Sequence, residues 1–244
     1  MNVDKLNMDV LAFGAHPDDI EIFCSGTIRK LIKHGKKCAV VDLTEAERST
    51  RGNVELRKEE SLASNKILGL EHRINLGITD ANIELNWENK LKIIYAIRKY
   101  KPNTILCPYF DCRHPDHENT GKLLREAFHN SGLVKIETYD NDEKQSPHRA
   151  THLFCYMEMV EFVPSFVVDI TDEFEDKMKA ILSFKSQFFT EYDPTTQTFL
   201  TQKNFIPLME ARARYWGFKI GKTYGEPYFS QKPIPITDMD FFGE

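Results

Sequence analysis

No apolar run in the 244-residue sequence approaches the roughly 18–20 residues of a membrane span, so no transmembrane helix is expected. Positive charge is not in excess either. Lys and Arg number 32 against 37 Asp and Glu, a formal net charge of −5. Without a basic stripe, a nucleic-acid-binding surface is not expected. Residues 1–8 include Asp4 and lack an apolar stretch followed by a cleavage site, so no signal peptide is expected. No C-x-x-C pair occurs, and the five cysteines (Cys24, Cys38, Cys107, Cys112 and Cys155) are odd in number and scattered. That usage argues for reduced thiols in the cytoplasm, against a disulfide framework and against a thiolate zinc site. Internal repeats and low-complexity stretches are absent too. With 41% hydrophobic and 28% charged residues, the remainder reads as one globular domain over residues 1–244.

The first 130 residues alternate short apolar runs with helical patterns. Residues 9–14, 38–43, 73–76 and 104–107 read as strands. Helices are expected at 19–34, stopped by Gly35, and from the Asn53 cap to Leu68, stopped by Gly69. Two more are expected, from Trp87 to before Pro102 and at 117–131. The alternation predicts an α/β fold, a Rossmann-like and mostly parallel sheet with helices on both faces. In such a sheet the ligand site lies at the carboxyl ends of strands one and four, where the strand order reverses. Beyond Gly132 the pattern loosens. Strands are expected at 153–157 and 166–170, helices at 172–188 and 204–219, a loop at 191–201 and a surface excursion at 135–149.

His16-Pro17-Asp18-Asp19-Ile20-Glu21 follows the first strand, and Arg113-His114-Pro115-Asp116-His117 follows the fourth. His16, Asp19 and His117 supply two imidazoles and a carboxylate, a set that holds a divalent metal with a position left open. An open position suits hydrolysis, because a bound water falls in pKa toward about 7. Asp18 is placed to take the proton from that water. His114, if protonated, would stabilise an oxyanion or protonate a leaving amine, with Asp116 orienting it.

Plainer explanations cover parts of this pattern. Asp18-Asp19 would serve as a helix cap, and His-Pro-Asp-His as a turn that starts a helix. Neither explains three histidines at two adjacent strand ends. His34 suits a helix C-terminus, and His72, His129, His148 and His152 show no partner pattern. Glu210 and Arg214 are spaced as a solvated i,i+4 pair, while Arg212 and Arg214 would alternatively form an anion-binding patch. The apolar tail at 234–242 is expected to dock on its own domain or on a neighbouring subunit.

His16-Pro17-Asp18-Asp19-x-Glu21, the Leu43-Thr44-Glu45-Ala46-Glu47…Arg51-Gly52 loop, Arg57 and His114-Pro115-Asp116-His117 together resemble the LmbE/PIG-L family of zinc-dependent N-deacetylases. The segments Arg57-Lys58-Glu59-Glu60, Lys185-Ser186-Gln187-Phe188, Glu210-Ala211-Arg212-Ala213-Arg214 and Tyr224-Gly225-Glu226 are similar to its bacillithiol branch, which deacetylates N-acetylglucosaminyl-malate. The resemblance implies one zinc per chain on His16, Asp19 and His117, with Fe2+ as an alternative metal. It also implies Asp18 as general base, His114 as electrostatic partner, Arg57 and Asp80 as sugar contacts, and a homo-oligomer of hexameric form. A malyl aglycone carries two carboxylates, which match guanidinium groups; Arg51, Arg57, Arg113, Arg212 and Arg214 form the pool. The chain departs from the family where glycines usually surround the second loop's glutamate: Ala46 and Ser49 flank Glu47-Arg48. No role is therefore assigned to Glu47. Rival readings are a deacetylase of a chito-oligosaccharide or thiol conjugate, an iron(II) oxygenase, and a binding module with a structural metal.

Overall fold

Strands β1 (Val10–Gly14) and β2 (Cys38–Asp42) are buried at every position, as parallel strands covered on both faces must be. The computed structural model describes residues 6–188 and 197–235. After β1 come α1 (Asp19–Phe23) and α2 (Ser25–Lys33), and after β2 come α3 (Val54–Leu68), β3 (His72–Asn75), α4 (Trp87–Tyr100), β4 (Thr104–Pro108) and α5 (Pro115–Asn130). A small hairpin, β5 (Tyr139–Asp140) with β6 (Glu143–Lys144), occupies the expected surface excursion. Then follow β7 (His152–Tyr156), β8 (Phe166–Asp169), a 3-10 turn, α6 (Phe174–Leu182), α7 (Phe205–Lys219) and β9 (Gly225–Ser230). The sheet order is β3-β2-β1-β4-β7-β9-β8, parallel from β3 to β7 and antiparallel where β9 joins β7 and β8.

Alternate strand residues feed two cores. Leu11, Phe13, Val41 and Ile105 pack with Ile93, Ile97, Leu123 and Leu124 of α4 and α5. Val10, Ala12, Val40 and Leu106 pack on the opposite face with Ile28, Leu68, Ile181 and Met209 of α2, α3, α6 and α7. Helices therefore cover both faces, as the strand–helix alternation predicts. Caps hold where the sequence placed them: the Asn53 side chain accepts from Leu56 N at 2.8 Å, and Gly69 closes α3 with φ 76°.

Three expectations need correction. The helix expected at 19–34 breaks at Cys24, whose φ of −143° ends α1. The new N-terminus is capped from across the fold. Glu226 of β9 accepts from Gly26 N, Thr27 N and Thr27 Oγ1, and Lys177 pairs with it at 2.7 Å. Strand β9 has no counterpart among the expected strands, and Pro227, which cannot donate to a ladder, works against an internal strand. Pro227 nevertheless lies opposite Val167 within the antiparallel pair. Finally, the helix expected at 172–188 stops at Leu182, and the one expected from His117 begins at Pro115. The loop at 191–201 and the tail at 234–242 fall partly outside the described residues. Among the described residues, no helix is long and apolar enough to cross a membrane.

Candidate metal centre and its cavity

Strands β1 and β4 are neighbours, and both motif clusters leave their carboxyl ends. Pro115 opens α5 where its missing N–H costs nothing. His114 is the cap, its Nδ1 accepting from Asp116 N at 3.3 Å. Gly121 lets α5 lie against the end of β4, since a Cβ there would sit 2.8 Å from Pro108 O. Across the cleft, Asp18 holds a φ of 120°, a conformation that side chains rarely adopt. Arg57 of α3 braces it, with Nη1 donating to Pro17 O at 2.6 Å and to Asp18 Oδ2 at 2.8 Å.

His16, Asp19 and His117 converge. His16 Nδ1 lies 3.3 Å from His117 Nε2, His117 Nε2 lies 3.3 Å from Asp19 Oδ1, and His16 Nδ1 lies 3.7 Å from Asp19 Oδ2. The far nitrogens meet carboxylates: His16 Nε2 is 3.1 Å from Asp80 Oδ1 and 3.3 Å from Asp116 Oδ2, and His117 Nδ1 is 2.8 Å from Glu158 Oε1. Carboxylates on the outer nitrogens leave the inner ones free to ligate.

Burial opposes charge on His16, but hydrogen bonds to Asp116, Asp19 and Asp80 overcome it and raise its pKa well above the usual value. The same contest raises His117, through Asp19 and Glu158. Asp19 is lowered, because the two imidazoles outweigh its desolvation. Four carboxylates thus surround two imidazoles. Three converging donors, an open side and a negative surround fit a divalent cation. Burial pushes the Asp18 carboxyl up to about 6, with Arg57 opposing the rise. Partial desolvation and the neighbouring His117 and His16 push His114 down to about 4.

The cluster lines a cavity of about 320 Å³. In sequence and in fold the chain can be compared with known proteins. It is 31% identical over 229 residues to the diacetylchitobiose deacetylase of Thermococcus kodakarensis, covering 89% of this chain and 80% of that one. Residues 11–128 match the PIG-L family, described as GlcNAc-PI de-N-acetylase. The chain belongs to the PIG-L family. Among solved structures, a conserved protein from Thermus thermophilus superposes with a TM-score of 0.84 at 31% identity, covering 95% of this chain and 98% of that one. The N,N'-diacetylchitobiose deacetylase of Pyrococcus horikoshii superposes with a TM-score of 0.78 at 27% identity, covering 94% and 88%.

Within this PIG-L chain, several expected site residues have partners that the sequence did not indicate. The Asp116 carboxylate does not orient His114. It faces His16 and accepts from Ala81 N and Ile83 N, and only the Asp116 backbone N–H reaches His114. With its pKa pushed down to about 4, His114 favours the neutral form near neutral pH, and with Nδ1 accepting from Asp116 N its proton falls on Nε2, which makes it a candidate neutral donor. Asp80 lines the cavity, but both its oxygens are engaged, with His16 and with Arg48 N. Arg57 is committed to Asp18, and Arg51 Nε donates to Ser186 O at 2.8 Å. Arg212 is turned to Met157 O, and Arg214 pairs with Glu210 at 2.8 Å on the exposed side of α7; neither lines the cavity.

Two questions left by the second loop resolve structurally. Ala46 takes φ 54°, the left-handed conformation that a glycine favours. Glu47 Oε1 accepts from Asp80 N at 2.7 Å and holds the Asp80 loop in place. Sequence reasoning missed Glu158 and Arg48. Glu158 follows β7, the strand beside β4, so an acidic residue past a third apolar strand was the available signal. Arg48 is exposed where it lines the cavity, and nothing in its spacing marks it.

Proposed function

We propose that the protein hydrolyses the acetamide of an N-acetylglucosamine conjugate with a carboxylated aglycone, N-acetylglucosaminyl-malate being the favoured substrate. The observation that carries the reaction type is the juxtaposition of His16, Asp19 and His117 with Asp18 and His114 around one cavity. The amino-sugar class is supported by the similarity to diacetylchitobiose deacetylases. The anionic aglycone is supported by Arg48 and Arg113, both exposed on the same cavity.

His16, Asp19 and His117 would hold a zinc ion, or Fe2+, one per chain. When bound, the metal would polarise the acetamide carbonyl and acidify water. Asp18 takes a proton from the attacking water, whose oxygen adds to the carbonyl carbon. An acid with a pKa near 6 is poised for this near neutrality. His114 donates its Nε2–H to the developing oxyanion. As the C–N bond breaks, Asp18 returns the proton to the leaving amine, giving acetate and the free amino sugar. Arg57 steadies the Asp18 carboxylate between the two transfers.

This reading takes residues 1–244 as a single deacetylase domain that works in the cytoplasm as a homo-oligomer. A second reading, favoured by the Thermococcus relative, is deacetylation of a chito-oligosaccharide. Acetate release from a panel of N-acetylglucosamine glycosides, with and without malyl carboxylates, separates the two. A preference for the malyl glycoside supports the first, and equal or better turnover of the oligosaccharide overturns it.

A further inference from the structure

Cys112 takes no part in the steps above, and Glu158 enters only as the carboxylate behind His117. Cys112 lies between β4 and α5, and Glu158 lies just past β7. With His117 they bring a sulfur, a carboxylate oxygen and an imidazole nitrogen within 4.8 Å of one another. Glu158 is 2% exposed. Its Oε1 sits 2.8 Å from His117 Nδ1 as an ion pair, and neither oxygen accepts a hydrogen bond from any other group among the described residues. Beyond that ion pair and the charge of Arg212, its withdrawal from water is not offset by hydrogen bonds, and such a carboxylate attracts a cation. Cys112 is a free thiol, buried beside it. All three residues line the same cavity as the first site, so an ion has a way in.

We propose that Cys112, His117 and Glu158 form a second divalent-cation site, selective for a thiophilic ion, that shares the His117 ring with the first. The two ring nitrogens serve different donor sets: Nε2 is 3.3 Å from Asp19 Oδ1, whereas Nδ1 faces Glu158. One thiolate, one imidazole nitrogen and one carboxylate make a set that suits zinc or cadmium. Magnesium and calcium, which take oxygen ligands, are disfavoured. Ligands bind deprotonated, so filling the site releases one proton from the Cys112 thiol and one from His117 Nδ1 to solvent. With both sites filled, His117 would be a ligand common to the two, one ring nitrogen to each. Excess metal therefore acts on the very ring that holds the first ion. The site stands whether or not the protein deacetylates amino sugars.

The test titrates protein holding one equivalent of zinc with cadmium chloride. Total bound metal, zinc plus cadmium, is read by elemental analysis after dialysis, together with the ultraviolet thiolate-to-cadmium charge-transfer band. Wild type should rise to two metal ions per chain and develop the band. Cys112→Ser should lose the second ion and the band while keeping the first ion and its far-ultraviolet circular dichroism. A wild-type total that stays at one overturns the site, because simple exchange of zinc for cadmium leaves the sum unchanged. So does a Cys112→Ser protein that still takes up the second ion with the band, since the buried thiols of Cys24, Cys38, Cys107 and Cys155 would then be responsible. Should Cys112→Ser not fold, the near-isosteric Glu158→Gln carries the decision: an unchanged second uptake overturns the proposal.

Discussion

His16 Nδ1 and His117 Nε2 face each other at 3.3 Å, although 101 residues separate them in the chain. Asp19 spans the gap, so three groups from two strand ends address one point. His117→Ala should therefore lose most of the bound zinc. Elemental analysis that finds its zinc undiminished would remove His117 from the centre.

Asp18→Asn should keep the metal and lose about 10²–10⁴-fold in turnover, the range for a positioned base. A loss below tenfold would assign the proton transfer elsewhere. Since the base must be unprotonated, kcat/KM should fall as the pH drops through about 6, the value to which burial raises Asp18. Arg57 favours the charged form of Asp18, so Arg57→Gln should move that limb to higher pH. A limb that stays put would show that Arg57 does not act on Asp18.

His114→Ala should leave metal content intact and cost about 10²–10³-fold in kcat, the usual loss for one oxyanion donor. Because His114 is pushed down to about 4, its titration should not appear in the neutral range of the rate profile.

Asp116→Asn distinguishes two partners. Acting on His16, it should lower metal affinity about 10–100-fold in chelator competition. An unchanged affinity with a reduced kcat would return Asp116 to His114.

Arg48→Ala and Arg113→Ala should each reduce kcat/KM for the malyl glycoside by roughly 10–150-fold, the equivalent of a charge-assisted contact of about 1.5–3 kcal/mol. An uncharged methyl glycoside should hardly notice. Arg214→Ala is the control, since its exposed pair with Glu210 is worth only about 0.3–0.5 kcal/mol and lies away from the cavity. Equal losses on both substrates would mean that Arg48 and Arg113 hold the loops and not the aglycone.

Local chemistry was legible wherever a short segment settles its own conformation. Residues 38–42 are a strand on apolar content, Asn53 and Gly69 bracket α3 by capping, and the two His-Pro-Asp clusters lie where the strand order reverses. Partners drawn from distant segments were not. The break at Cys24 persists because Glu226 and Lys177, some 200 and 150 residues on, cap and neutralise the helix that restarts there. Asp80 and Asp116 both turned out to hold His16, and Glu158 stands behind His117, because segments from four strand ends (β1, β3, β4 and β7) meet over one sheet edge. Spacing along the chain names the residues that can ligate or titrate. Which nitrogen faces the centre, which carboxylate stands behind it and which arginine is already spoken for are set by packing and burial, and these depend on contacts between residues far apart in sequence.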